Sequence, residues 1–423
     1  MREMKDSGIE WIGEIPKDWE RGHLKYYAKI KTGGTPSTSY QVWFDGDVLW
    51  FTPGDFDKIL LSDSKRKLSK LAVLFRIANL FPANTTMIVG IGGTAGKVGY
   101  TINESYCNQQ ITALINKSNT YPKYITYLMF CFSDVLKDNA LYTTLPILNN
   151  QFVGDFSICI PKKLSEQEKI TNYLDTQCSE IDATAEDIQK EISLLEEYKK
   201  SVITEAVTKG LNPDAEMKDS KIFYLGQINK TWNLTKVGYC CKKLYRPFEP
   251  SDEALVCSNK GKVVPRGDTL IGLMSSDDNA MQGICKGDIA IHGMDTWHGA
   301  IACSDYDGKI TRVVHVCKAD GDNRFVVYWL QHLAFVGVYK LISNGVRGNT
   351  SDFRSWDKVA DIYVPNPIKE EQQQIADFLD SKCSEIDTLI ADKKRQLDIL
   401  AEYKKSLIYE YVTGKKEVPV KDF

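Results

Sequence analysis

The sequence predicts an α+β protein in which two lobes of mixed sheet and helix alternate with two long helices. The helices are expected to pair as an antiparallel coiled coil, relating the halves by an approximate two-fold axis. Three observations carry this prediction. The chain has 423 residues, long for one compact domain of ~100–200 residues. Glu166–Thr208 lies over Glu371–Thr413 at a constant offset of 205, with 21 identities in 43 positions and no gap. An internal repeat of that kind fixes the architecture. Outside it, strand-like runs and turn residues fill two stretches that diverge almost completely, apart from an echo of Ser7–Trp19 in Ser220–Trp232. The plan is therefore lobe (1–160), helix (161–212), lobe (213–363), helix (364–423).

The first lobe mixes strand-like runs, Asp47–Phe51 and Met87–Ile91, with turn chemistry at Thr32–Pro36 and Thr52–Asp55. Its G-I-G-G-T-A-G-K segment (Gly90–Lys97) invites comparison with a phosphate-binding loop. As a nucleotide loop it fails: Ile91 and Val98 stand where a P-loop needs Gly and Ser or Thr, and Val98–Ile102 alternates like a strand where a dinucleotide fold needs a helix. A turn of this kind can still bring Thr94 and Lys97 against a nucleic-acid phosphate. The other polar clusters are T-G-G-T-P-S-T-S-Y, with Thr35, Ser37 and Thr38; N-Q-Q, with Asn108, Gln109 and Gln110; and N-N-Q, with Asn149 and Asn150. Asn and Gln pair with adenine in the major groove, although in turns they more often cap backbone.

The first long helix is read from Ile181, Ala185, Ile188, Ile192 and Leu195 at 4-3-4-3 spacing, resumed at Val202 and Ala206 after Lys199. Ser165 and Glu168 suggest a capping box at its start, and Gly210 with Pro213 a stop. From Glu180 to Thr208 such a helix is ~43 Å long. The second copy keeps the frame with Ile386, Ile390, Leu397, Leu400, Leu407 and Tyr411, interrupted by Lys393 and Lys404. Neither helix can bury its stripe alone, so the two are expected to pack on each other. The interface is predicted at Ile181, Ile188, Ile192, Leu195, Val202, Ile386, Leu397, Leu400 and Leu407. Packing each helix only on its own lobe is the alternative.

The second lobe holds Gly287–Ile301, which includes Trp297, then D-G-K-I-T-R with Lys309 and Arg312, then N-G-V-R-G-N-T-S-D-F-R with Arg347, Asn349 and Arg354. The last two segments are candidate readers of phosphate or guanine, with surface solubility as the plain alternative.

Charge narrows the function. Lys plus Arg is 53 against 56 for Asp plus Glu, so no global field draws the chain to polyanions and local patches must. The lobes carry 17 basic against 15 acidic residues and 19 against 18, while the helical segments carry 7 against 11 and 10 against 12. No apolar stretch approaches the ~20 residues of a membrane helix, Phe325–Ile342 being broken by Gln331 and His332. Eleven cysteines without a C-x-x-C pair read as buried thiols of a reducing compartment, so a cytoplasmic protein is expected. The close pair His292 and His298 lacks further ligands for zinc. Asp295 with Asp307-Gly308-Lys309 resembles a nuclease metal centre but lacks a supporting Glu or His. Methyl transfer to a flipped base would need a polar-Pro-Pro-aromatic tetrad, which neither Asn212-Pro213-Asp214 nor Asn366-Pro367-Ile368 supplies. No nucleophile–base grouping can be assembled, so the chain is expected to be non-catalytic and to bind no metal.

These residues resemble a known family, the specificity (S) subunits of type I restriction-modification systems. The similarity lies in S-G-I-E-W-I-G-E-I-P-K-D-W (Ser7–Trp19), G-G-T-P-S…G-D-V-L-W-F-T-P-G-D-F (Gly33–Phe56) and G-T-A-G-K…N-Q-Q. It continues in the passage from a Pro-ended strand into a helix carrying E-Q, at Ile160–Ile170 and Val364–Ile375. The resemblance implies that each lobe is a target recognition domain reading half of a bipartite double-stranded DNA site. The helices would be spacers that set half-site separation and recruit two modification subunits. It also implies restriction subunits, with S-adenosylmethionine, ATP and Mg²⁺ held by partners and no cofactor by this chain. Two other readings remain: a coiled-coil adaptor whose lobes bind protein, and a metal-dependent nuclease using Asp307 and Lys309.

Overall fold

The computed structural model describes residues 2–142, 146–267, 280–343 and 351–419. The chain folds into two compact units, Met1–Asp187 with Gln396–Phe423, and Ile188–Arg395. Each unit contains one lobe, part of the first long helix (Leu164–Lys209, 46 residues) and part of the second (Lys369–Val412, 44 residues).

In the first lobe, Ala28–Thr32, Ile111–Asn116, Thr85–Val89 and Val98–Thr101 form an antiparallel sheet in that spatial order. Thr85–Val89, T-T-M-I-V, is buried along its whole length, so β-branched and apolar residues line both of its faces. A second sheet orders Lys67–Leu68, Phe44–Phe51, Ser105–Cys107 and Leu80–Phe81, with Tyr106 and Cys107 running parallel to Trp50 and Phe51. In the second lobe the central sheet is Cys241–Lys243, Val314–Ala319, Ile289–His292 and Ile301–Cys303, again antiparallel. Each lobe closes on itself beside its helix: Glu20–His23 pairs with Ser157–Ile160, and Asn233–Lys236 with Tyr363–Asn366.

Within each unit the two helices pack antiparallel. In the first unit Ile170, Leu174 and Cys178 share a core with Leu407, Ile408, Tyr411 and Val412, around Trp19, Tyr124 and Leu128 of the lobe. In the second, Ile375, Leu379 and Cys383 share one with Ile203, Ala206 and Val207, around Trp232, Phe325 and Trp329. These are repeat-equivalent residues with partners exchanged. The two motifs that recur intact meet here. Lys404 of the second E-Y-K-K-S binds Asp182 of the first C-S-E-I-D (2.6 Å), and Lys199 of the first binds Asp387 of the second (2.7 Å). Partly exposed pairs of this kind contribute ~0–1 kcal/mol, whereas burying a large apolar side chain contributes ~1.5–3 kcal/mol. Burial therefore holds the helices together, and the ion pairs fix their register.

Ile192, Ile386 and Leu407 are buried, and Ile181, Ile188, Leu195, Val202, Leu397 and Leu400 are half-buried. The capping box is not formed. The first helix starts at Leu164, so Ser165 is already inside its first turn, where a side chain cannot cap. Residues Glu166 and Gln167 anchor the lobe instead. Glu166 Oε1 accepts from Trp19 Nε1 (3.0 Å) and Arg2 Nη1 (2.7 Å), and Glu371 Oε1 accepts from Trp232 Nε1 (3.1 Å). Gln167 accepts from the Tyr121 N–H and donates to the Pro161 carbonyl, while Gln372 accepts from the Asp322 N–H and donates to the Pro367 carbonyl. About two turns on, Asp175 accepts from Tyr127 Oη and Asp380 from Tyr328 Oη. Burial and these carboxylates push both tyrosine pKa values well above the ordinary phenol. The stop is as expected: Gly210 takes φ +89° directly after the helix, a left-handed value that favours glycine.

Candidate functional site

The first lobe contains a groove of about 580 Å³ lined by residues of four loops. Thr35 comes from the first, Thr52–Gly54 and Arg66 lie beside the strand that carries Trp50, Ile91–Thr94 form the third and Asn108–Gln110 the fourth. Backbone contacts stitch the loops together. The Gly33 N–H donates to the Ile111 carbonyl and the Gly34 N–H to the Cys107 carbonyl, and Trp50 Nε1 donates to the Gly34 carbonyl. A Cβ at Gly33 would lie 2.2 Å from the Asn108 carbonyl, so this approach requires glycine. In the third loop Gly92 and Gly96 have φ of +107° and +91°, both left-handed, and strand Val98–Thr101 follows.

The groove's polar side chains are largely committed to one another. Asn108 Oδ1 accepts from the Gln110 N–H and Asn108 Nδ2 donates to Gln110 Oε1, both at 3.0 Å. Thr35 Oγ1 donates to Gln109 Oε1. Asp55 accepts from the N–H and hydroxyl of Thr52 and from the Lys65 N–H. Arg66 is exposed, and its guanidinium stacks on Phe44 and Trp50 with ring centroids at 4.5 and 5.4 Å. Among the described residues no carboxylate lies within ion-pair reach of it. Stacking holds the planar fork without consuming its N–H donors.

Of the first-lobe candidates, Thr35, Thr94, Asn108, Gln109 and Gln110 meet in this groove. Ser37 and Thr38 are exposed on the adjoining turn, outside the lining. Lys97 donates to the Phe56 carbonyl (3.1 Å), and so ties two loops together. Asn149 caps the helix Asn150–Asp155 by accepting from the Phe152 N–H, and Asn150 accepts from the hydroxyls of Thr32 and Thr112. Arg66, Trp50 and Thr52 are groove residues that the sequence reading passed over.

The described candidates of the second lobe make separate contacts. Lys309 Nζ donates to the Pro250 carbonyl (2.7 Å), and Arg312 Nε to the Met281 carbonyl (3.0 Å). Trp297 is half-buried against the core, its indole N–H without a partner among the described residues. Arg354 is exposed, while Arg347 and Asn349 lie outside the described residues. A face missed in sequence carries Lys243, whose ammonium lies over Tyr245 (5.1 Å) and Trp356 (5.9 Å). Asp307 accepts from the Lys286 N–H, and no group of three metal-ligating side chains exists among the described residues. No described helix is long and apolar enough to cross a membrane.

The fold and groove define a class: an internally duplicated protein with a variable lobe mounted on each of two repeated helices. Residues 16–194 match the family model described as the type I restriction modification DNA specificity domain. The chain is 30% identical over 190 residues to the type I restriction enzyme MjaIX specificity subunit of Methanocaldococcus jannaschii, a match covering 44% of this chain and 43% of that one. It is 25% identical over 442 residues to the putative MjaX specificity subunit of the same organism, covering 96% of each. With the EcoR124I/EcoR124II specificity subunit of Escherichia coli the match spans 45% of this chain and 46% of the relative. The chain thus aligns with about half the length of the first and third of these relatives. In fold it is similar to a chain of a solved type I R-M system, with TM-score 0.64 at 12% identity over 95% of this chain and 99% of that one. The chain is thus similar to type I restriction-modification specificity subunits, in sequence across residues 16–194 and in fold along most of its length.

Proposed function

We propose that the chain is the non-catalytic address subunit of a type I restriction-modification complex. Lobes 1–160 and 213–363 each read half of a bipartite double-stranded DNA site. Helical segments 161–212 and 364–423 set the half-site separation through the stripe Ile181, Ile188, Ile192, Leu195, Val202 with Ile386, Leu397, Leu400, Leu407. The observation that carries this reading is the first-lobe groove, whose lining contains an unpaired stacked guanidinium, three carboxamides and no acidic residue. Such a surface suits the polar edges and phosphates of DNA.

Two modification subunits dock on the helices and bring S-adenosylmethionine, and restriction subunits bring ATP and Mg²⁺, all within the cytoplasm. Paired recruitment is supported by an apolar pair that recurs at repeat-equivalent positions: Leu194 and Tyr198 are 64% and 56% exposed, Ile399 and Tyr403 63% and 52%. The same exposed pairs favour a second reading, a protein-binding adaptor. Methylation-sensitive sequencing of DNA from cells expressing the chain with its modification subunits separates the two. A methylated motif of two defined halves around an unread gap, present only with this chain, is the expected outcome. No motif despite an assembled complex, and DNA affinity flat with salt, would favour the adaptor.

A further inference from the structure

We infer that the first-lobe groove reads a guanine through Arg66 and Gln110. This rests on the DNA-specificity reading above and adds to it the base and the residues that read it.

The argument is an accounting of donors and acceptors around the groove. A backbone N–H can only donate, so the bond from the Gln110 N–H fixes the Asn108 side-chain oxygen as its acceptor. The Asn108 amide nitrogen then faces Gln110 Oε1 and donates to it. That contact orients Gln110 in turn: its oxygen is engaged, and its Nε2 keeps two N–H donors with no partner among the described residues. The Gln109 carboxamide oxygen is likewise engaged, by the Thr35 hydroxyl. Both Asp55 carboxylate oxygens are taken by Thr52 and Lys65. What the groove still offers is the fork of Arg66 and the amide nitrogens of Gln109 and Gln110. It is rich in donors and poor in free strong acceptors.

That inventory selects among the bases. In the major groove guanine presents N7 and O6, acceptors only. Adenine sets a donor beside its N7, cytosine presents a donor, and thymine sets a methyl beside a single acceptor. Only guanine offers two acceptors and no competing donor, and a planar guanidinium engages that edge bidentately. A phosphate also accepts from such a site, but it needs charge more than a fork, and it carries no base preference.

The test maps methylated sites for the complex of this chain with its modification subunits, comparing wild type with Arg66→Lys and Gln110→Glu. The wild-type motif should contain a G·C pair in one half-site. Arg66→Lys keeps the charge and removes the fork, so discrimination at that one pair should fall roughly 5- to 150-fold, the cost of one lost bidentate contact, with the other half-site unchanged. Gln110→Glu is isosteric and can keep the Asn108 bond, but it replaces the free donor with an acceptor. It should weaken the same guanine preference and admit cytosine. A uniform loss of methylation with all base preferences kept would overturn the inference in favour of a phosphate contact. Base preferences unmoved by either variant would overturn it outright, while leaving the bipartite reader intact. A wild-type complex with no methylated motif would instead remove the DNA-specificity reading itself.

Discussion

The two lobes share a joint and differ in their faces. At the joint, Lys5 and Lys218 both donate to the carbonyl of a tryptophan 14 residues on, Trp19 or Trp232. Each indole donates to a helix glutamate, each adjacent glutamine bridges lobe and helix, and each lobe tyrosine donates to a helix aspartate. Away from the joint the correspondence ends. The first lobe gathers four loops around a stacked arginine, whereas the second commits Lys309 and Arg312 to backbone carbonyls. Seating a lobe on the same helix repeats one set of demands, and those residues recur. On the proposed function, reading a different half-site makes no shared demand on the opposite face, and there the lobes diverge.

The comparison can be broken most sharply at the indoles. Trp19 and Trp232 are each 1% exposed, so Trp19→Ala and Trp232→Ala should each cost ~3–5 kcal/mol in chemical denaturation. Costs differing by more than about 2 kcal/mol would show that the joints are not equivalent. Next comes acid. His332, buried on the second lobe's helix, accepts from or donates to Thr204 Oγ1, and burial lowers its pKa to about 4. A depressed folded-state pKa means that the unfolded chain takes up a proton first. Stability is therefore full above about pH 6.5 and declines as pH falls toward 4, by up to ~3 kcal/mol. The corresponding residue of the first lobe is Cys131, whose thiol burial pushes up to about 12, so it is silent in that window. Hydrogen exchange at pH 4.5 should show residues 188–395 opening first, and His332→Leu should reduce the bias, leaving the part carried by His292 and His315, whose burial also lowers their pKa values.

Smaller effects sharpen the picture. Gln167→Leu and Gln372→Leu each leave a lobe N–H without its acceptor and should each cost ~1–3 kcal/mol by thermal denaturation. Single reversals Asp182→Lys and Lys404→Asp should cost less than ~1 kcal/mol, and the double swap should recover most of that loss. A swap with no recovery would mean the pair does not set register.

Much of this architecture is legible in the sequence because it is written twice. The offset of 205 finds the helices, and the intact C-S-E-I-D and E-Y-K-K-S blocks mark the exchanged ion pairs. The groove is legible only in fragments. Its Gly33–Phe56, Gly90–Lys97 and Asn108–Gln110 segments stand out individually, but their convergence depends on strand order, which no local pattern encodes. Arg66 is hidden in the run S-K-R-K, which reads as a solvated turn, because its stacking partners Phe44 and Trp50 lie on the neighbouring strand. Asn149 shows the opposite failure, a polar residue with the chemistry of a base reader that caps a helix.

The composition of the compact units also bears on how the protein is made. Residues 188–395 are contiguous, so that unit has all its parts as soon as they leave the ribosome. The other unit waits, because Tyr124 has its acceptor at the Val412 carbonyl and its core is finished by Leu407, Ile408 and Tyr411. Until those residues are translated, Ile170 and Leu174 lack the second helix's side of their packing on the nascent chain, a species prone to aggregation or degradation. A ribosome that stalls after residue 395 therefore releases a chain with one finished unit and one that cannot close.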